Sequence, residues 1–254
     1  SGKIDASQLE GFDVIIHLGG VGIGDKRWSK KRKKLIRDSR YHSTKFLSQT
    51  IASLSNKPEL FMVSSAIGWY GERGEEELSE QSSAGEGFLP EICKDWEMAA
   101  DEAKQAGVRT IHLRTGIVLS AVGGALQKML LPFKLGGGGP MGNGKQWMSW
   151  ITLDDQIYAM NHLLMDGVSE GAYNLTSPNP IRQKGFAKKL GKVLRRPAFM
   201  PLPKFVIRIL FGEMGVKLTL DSQRVYPNRL IDQGYEFLHP NLEDGLRDAL
   251  GLWK

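Results

Sequence analysis

The sequence predicts an α/β fold built on a doubly wound parallel sheet. Three observations carry the prediction. Short apolar runs at 12–18 and 60–63 suit strands covered on both faces, and 108–114, which alternates, and 172–175 read as further strands. Between them lie longer stretches with apolar residues at helical spacing, the alternation of βαβ units. The first two runs stop at Gly19-Gly20 and at Ser64-Ser65, residues suited to meeting a ligand, and in open α/β sheets ligands sit outside the carboxyl ends of the strands.

Phe12-Asp13-Val14-Ile15-Ile16-His17-Leu18 opens the series as a strand, and the glycines from Gly19 on form a turn where backbone can approach a ligand. Residues 29–54 follow as a helix, with Leu35, Ile36, Phe46, Leu47, Ile51 and Leu54 set among charges. Leu60-Phe61-Met62-Val63 is the central strand, and Ser64 and Ser65 belong to the loop beyond it. Residues 72–87 read as a surface loop. Residues 88–106 read as a helix with Ile92, Trp96, Ala99, Ala100 and Ala103 on one face, closed by Gly107. After the strand at 108–114, the glycine-rich stretch 120–146 reads as a flexible wall over the ligand edge. Asp154-Asp155 cap a helix over 156–165; Ala172-Tyr173-Asn174-Leu175 form a strand, and 184–194 an amphipathic helix. The remainder reads as helix, short basic segment, helix, punctuated by Pro201, Pro203, Pro227 and Pro240.

Composition narrows the classes. A chain of 254 residues suffices for one large domain or a domain with an appendage. Charged residues at 24% against hydrophobic residues at 41% argue for a packed core rather than disorder. The net charge of +6 favours an anionic ligand. Cys93 is the single cysteine, which excludes an internal disulfide and suits a reducing, cytoplasmic location. No apolar run approaches the ~18 residues of a membrane span, so no membrane partner is expected.

Most local motifs yield to plainer readings. Gly139-Pro140-Met141-Gly142-Asn143-Gly144-Lys145 fits the start of a phosphate loop, but Gln146 stands where a magnesium-holding hydroxyl belongs. The residues after it look extended rather than helical, which disfavours an ATP or GTP site. Neither HExxH nor GxSxG occurs, and no metal-ligand set is evident. His17, His112 and His162 lie in apolar runs and read as core or edge residues. Lys30-Lys31-Arg32-Lys33-Lys34 reads as a solvated helix face before it reads as a phosphate-contacting patch, so nucleic acid is the weaker partner.

Several stretches occur together in an order that resembles one family. Asp13-Val14-Ile15-Ile16-His17-Leu18-Gly19-Gly20, Val63-Ser64-Ser65 leading to Trp69-Tyr70-Gly71, Leu113-Arg114-Thr115-Gly116 and Trp150-Ile151-Thr152-Leu153-Asp154-Asp155 resemble the extended, sugar-nucleotide-epimerase-like branch of the NAD(P)-binding short-chain dehydrogenase/reductase superfamily. Gly24-Asp25-Lys26-Arg27-Trp28, Cys93-Lys94-Asp95-Trp96-Glu97 and Ser177-Pro178-Asn179-Pro180 are similar to an atypical subfamily labelled "epimerase family" or cell-division-inhibitor-like. Pro201-Leu202-Pro203, Phe211-Gly212-Glu213 and Gln223-Arg224-Val225-Tyr226-Pro227 resemble its C-terminal domain of unknown function.

The resemblance implies a Rossmann-type NAD(P)-binding domain over 1–175 and a small, mostly helical C-terminal lobe over 176–254 that caps the substrate. It implies NADP or NAD as cofactor, NADP slightly favoured by the basic charge, with a small-molecule substrate and a homodimer left open. Leu18, Gly19 and Gly20 would meet the cofactor through backbone atoms, with Arg40, Ser64, Arg114, Thr115 and Gly116 beside it. Ser65, Tyr70 and Lys94 would serve catalysis, and Trp147 and Trp150 would wall the substrate. Two departures accompany the match. The GxxGxxG turn that cradles a pyrophosphate is absent, so a first βαβ unit of more than ~30 residues is expected ahead of Ser1. The superfamily's Tyr-x-x-x-Lys pair is also absent: Pro90 and Glu91 stand four residues before Lys94 and Asp95. Two readings follow, an NAD(P)-dependent epimerase or reductase acting on a nucleotide sugar or small carbonyl or hydroxyl compound, and a non-catalytic NAD(P)-binding sensor or structural protein.

Overall fold

The structure, a computed structural model, describes residues 5–252. Its elements run β1 (Val14–His17), α1 (Lys30–Ser53), β2 (Leu60–Ala66), β3 (Glu77–Leu78), α2 (Phe88–Met98), α3 (Asp101–Gln105), β4 (Arg109–Thr115), β5 (Ile117–Leu119) and α4 (Gly124–Lys134). They continue β6 (Trp147–Met148), β7 (Trp150–Thr152), α5 (Leu153–Met165), β8 (Gly171–Leu175), β9 (Ile181–Arg182), α6 (Gln183–Leu194), α7 (Lys204–Thr219), β10 (Arg224–Val225), α8 (Asn228–Asp232) and α9 (Leu242–Ala249). β1, β2, β4 and β8 form a parallel sheet in that order. Alternate side chains face opposite sides. Phe61 and Val63 meet Leu47, Ile51, Trp96 and Ala103 of the α1–α3 layer. Met62, Leu113, Tyr173 and Leu175 meet Ala159 and Leu163 of α5. Helices therefore cover both faces, the doubly wound arrangement. Phe61, Met62 and Val63 are wholly removed from solvent, a contribution of about 1.5–3 kcal/mol each.

Four local expectations are corrected. The central strand does not end at Val63: it runs to Ala66, pairing Ser64 with Leu113 and Ser65 with Arg114. Extending the ladder satisfies backbone groups that a buried loop would leave unpaired. The helix over 88–106 is split into α2 and α3, where the Ala103 N–H donates to Ser48 Oγ of α1 at 2.8 Å. The stretch 120–146 is not wholly a flexible wall, because Leu126, Leu130 and Phe133 fix α4 against the core. Finally, Thr152 caps α5 by accepting the Asp155 N–H, and Asp155 is not the cap. The Asp155 carboxylate instead takes the backbone N–H groups of Leu238 (2.8 Å) and His239 (3.0 Å), pinning the C-terminal segment.

A second core joins Leu126, Leu130 and Phe133 to Trp150, Phe186, Leu190, Leu242 and Leu246. It draws on residues from both sides of position 176. α7 is bent: Gly212, at φ 64° and ψ −148°, interrupts it. A Cβ at Gly215 would lie 3.1 Å from Ile207 Cγ2, although residues eight apart in a straight helix stand ~12 Å apart along the axis. The two halves of α7 therefore fold back on each other as a hairpin.

Candidate functional site

The carboxyl ends of β1, β2 and β4 lie side by side, and the groups on their two faces have different fates. Ser65, Arg114 and Asn174 share a register row on the face covered by α2. There Glu97 of α2 receives the Ser65 hydroxyl at 2.7 Å and a two-pronged contact from Arg114 at 2.8 and 2.9 Å. Arg114 Nη1 also donates to the Tyr70 hydroxyl at 3.3 Å, and its guanidinium lies 3.8 Å from the Trp69 ring centre. Tyr70 donates in turn to Asn174 Oδ1 at 2.7 Å. Every member of the chain from Ser65 to Asn174 is buried. A carboxylate and a guanidinium are tolerated at such depth because each satisfies the other's charge and hydrogen-bonding capacity.

The electrostatics follow. Burial pulls the Arg114 pKa down, but the Glu97 contacts outweigh it and leave it raised. Burial pushes the Tyr70 hydroxyl up to about 12, with Arg114 opposing. At neutral pH Tyr70 is therefore a hydrogen-bond donor held in place, not a poised base. Ser65 is likewise committed to Glu97 rather than exposed on a loop, which corrects the expectation for its hydroxyl. Lys94 does not join them; its Nζ donates to the Gly85 carbonyl at 3.4 Å and tethers the 72–87 loop. One position before it, Cys93 lies against the Ala66 carbonyl, its thiol pushed up to about 12 by burial and then by Glu97.

Ser64 faces away from this network and is half-buried. Leu18, Gly19 and Gly20 are exposed past the end of β1. The loop they begin is held by α1: Arg40 Nη1 donates to the Val21 carbonyl at 3.1 Å, and Val21 N–H donates to Ser39 Oγ at 3.3 Å. His17, at the strand end, contacts Ser43 Oγ at 3.1 Å, and burial lowers its pKa. Gly116 sits where chains cross: a Cβ there would lie 2.8 Å from the Ser149 carbonyl oxygen and 2.9 Å from Thr176. Thr115, half-buried, points its hydroxyl to the Leu113 carbonyl.

The two tryptophans part company. Trp150 is fully buried in the second core, its indole N–H on the Asn179 carbonyl at 3.1 Å. It cannot wall a ligand, and the expectation for it is corrected. Trp147 is half-buried and stacked between Arg182 and Arg224, 4.1 and 4.6 Å from the ring centre, with its N–H on Glu75 at 3.1 Å. The glycine motif before it is followed by β6, which pairs with β9, and not by a helix. Among the described residues no group of three or more histidine, cysteine or acidic side chains could hold a metal ion.

Sequence reasoning found Ser65, Tyr70 and Arg114 but missed Glu97 and Asn174, which bind them together. A signal existed: Glu97 follows Cys93 by one helical turn on the buried face of α2, and Arg114 ends an apolar strand, so each needed a buried counter-charge. Toward a nicotinamide dinucleotide the residues present fit one end. Leu18, Gly19 and Gly20 leave exposed backbone past the end of β1, and Gly20 passes so close under Arg40 that a Cβ would come within 3.2 Å of the guanidinium carbon. The glycine turn a pyrophosphate needs is not among them.

The comparisons agree with this architecture. Residues 4–176 match the model of the NAD dependent epimerase/dehydratase family, and residues 202–249 match a domain of unknown function, DUF1731. An epimerase family protein of Mycobacterium bovis is 37% identical over 246 residues, covering 97% of this chain and 81% of that protein. The crystal structure of the human epimerase family protein SDR39U1 (isoform 2) with NADPH superposes with a TM-score of 0.91 at 30% identity, covering 98% of this chain and 87% of the human one. A UDP-glucuronic acid 4-epimerase from Bacillus cereus, in complex with UDP-glucuronic acid and NAD, has a TM-score of 0.77 at 15% identity over 97% of this chain and 77% of its own. At that identity the likeness is one of fold.

Proposed function

The chain belongs to the NAD-dependent epimerase/dehydratase family, and we propose that it is an NAD(P)-dependent epimerase- or reductase-like protein acting on a nucleotide sugar or a small carbonyl or hydroxyl substrate. The observation that carries this reading is the shared edge of β1, β2 and β4, where Leu18-Gly19-Gly20, Ser64 and Thr115-Gly116 stand together. A nicotinamide cofactor bound there supplies hydride transfer. Leu18, Gly19 and Gly20 would meet it through backbone atoms, with Arg40 holding that backbone in place. Arg114, fixed by Glu97, would keep Thr115 and Gly116 at its flank, and Ser64 would offer the free hydroxyl. Trp147 and the segment 176–254 would bound the substrate side. NADP is favoured over NAD by the net charge of +6 and by the NADPH in the human relative. The single, buried Cys93 suits a cytoplasmic setting.

The sensor reading has one observation in its favour. Tyr70 keeps its proton and Ser65 is committed to Glu97, so neither is free to move a proton. Fluorescence titration of the full-length protein with NADPH and NADH, followed by absorbance assays with a panel of nucleotide sugars and carbonyl compounds, separates the two. Saturable NADPH binding with turnover of a panel member is expected. Binding without any turnover selects the sensor, and absence of binding to either nucleotide sinks both readings.

A further inference from the structure

We propose that the α7 hairpin, which lies inside the stretch matching the domain of unknown function, is the strap that clamps the cofactor-facing loop at residues 19–28. The inference rests on the functional reading above for what the loop touches. Below, the loop is fastened to α1 by Arg40 and by Arg32, whose Nη2 donates to the Gly22 carbonyl at 2.5 Å. At its side Lys128 of α4 donates to the Gly24 carbonyl at 2.7 Å, and above, the loop meets the hairpin. Leu218 Cδ1 would stand 3.5 Å from a Cβ at Gly24, and a Cβ at Gly212 would stand 3.1 Å from Arg27 Nη2. At the tip, Glu213 Oε1 pairs with Lys33 Nζ of α1 at 2.7 Å, and that ammonium lies 4.7 Å from the Phe88 ring centre.

The hairpin is rooted at its other end. Gln146 Nε2 donates to the Thr219 carbonyl at 2.8 Å, and the Gly142 N–H donates to the Leu202 carbonyl at 2.9 Å. Its first half packs little on the body: Phe205 and Ile209 are 65% and 67% exposed. Its second half is seated, with Met214 buried and Leu218 against the loop; the tip adds a partly exposed ion pair, weak and screened by salt. Weakening the tip would loosen the clamp without unseating the hairpin, and so would shorten the time a nucleotide under the loop stays bound.

The test uses the full-length protein and Glu213→Gln, Lys33→Glu and the swapped pair Lys33→Glu with Glu213→Lys. Stopped-flow fluorescence reads NADPH release, and amide hydrogen exchange without nucleotide reads the loop. Glu213→Gln should release NADPH about two- to fivefold faster, Lys33→Glu faster still, and the swap should return toward the parent rate. Amides of residues 21–28 should exchange faster in Glu213→Gln. Unchanged exchange there, or a swap that restores nothing, overturns the strap even if NADPH binds. Faster exchange in a protein that binds no NADPH keeps the clamp and sinks the cofactor reading.

Discussion

Glu97 holds two site residues, Ser65 and Arg114, with one carboxylate, so its loss leaves a charged guanidinium and a hydroxyl unpaired inside the protein. Replacing it by Gln should lower stability by about 3–5 kcal/mol, because breaking a buried pair leaves the other charge uncompensated. Urea unfolding measures this, and a loss below ~1 kcal/mol would show that water already reaches the pair. Tyr70 predicts a pH effect of definite sign. Its folded pKa, raised to about 12, lies above the ordinary tyrosine value of 10.0, so the folded state binds its proton more tightly than the unfolded one. Its contribution is complete below pH ~10 and is lost as pH rises toward ~12; Tyr70→Phe should flatten that part of the stability profile. Ser65, Tyr70 and Arg114 were legible in the sequence because Val63-Ser64-Ser65, Trp69-Tyr70-Gly71 and Leu113-Arg114-Thr115-Gly116 resemble one family's motifs. Glu97, the partner that Ser65 and Arg114 share, was not, since nothing in a linear pattern says which turn of α2 lies over which strand.

At the scale of elements, the crossing at Gly116 makes a sharp prediction. Gly116→Ala would press a methyl against the Ser149 carbonyl and Thr176, forcing apart the start of the β5–β7 pair at an expected cost of about 1–3 kcal/mol. Chemical denaturation checks it, and an unchanged midpoint would mean that the crossing yields freely. The four strands of the main sheet, apart from the end of β2, and α1 were placed because their patterning is strong and their ends carry punctuation, such as the Ser29 cap that accepts the Arg32 N–H. α4 was hidden by the glycines around it, although Leu126, Leu130 and Phe133 already kept a helical spacing. The α2–α3 break was invisible, because its cause is Ser48, a residue more than fifty positions away that takes the Ala103 N–H. Tertiary hydrogen bonds of that kind leave no local trace.

For the whole molecule, the two cores matter together. Trp150 belongs to the second core while its neighbour Ile151 belongs to the first, so one short strand is shared between them. Unfolding should therefore be a single transition, with far-ultraviolet circular dichroism and tryptophan emission tracing the same urea curve; two separated midpoints would show that the cores melt independently. The stack of Trp147 between Arg182 and Arg224 decides how such an experiment must be run. Guanidinium chloride floods the solution with the very cation that already lies against that ring twice over, and so would compete for it in kind before anything unfolds. Urea, being neutral, leaves the two arginines without a rival, and Trp147 then reports their departure as a change in colour rather than masking it.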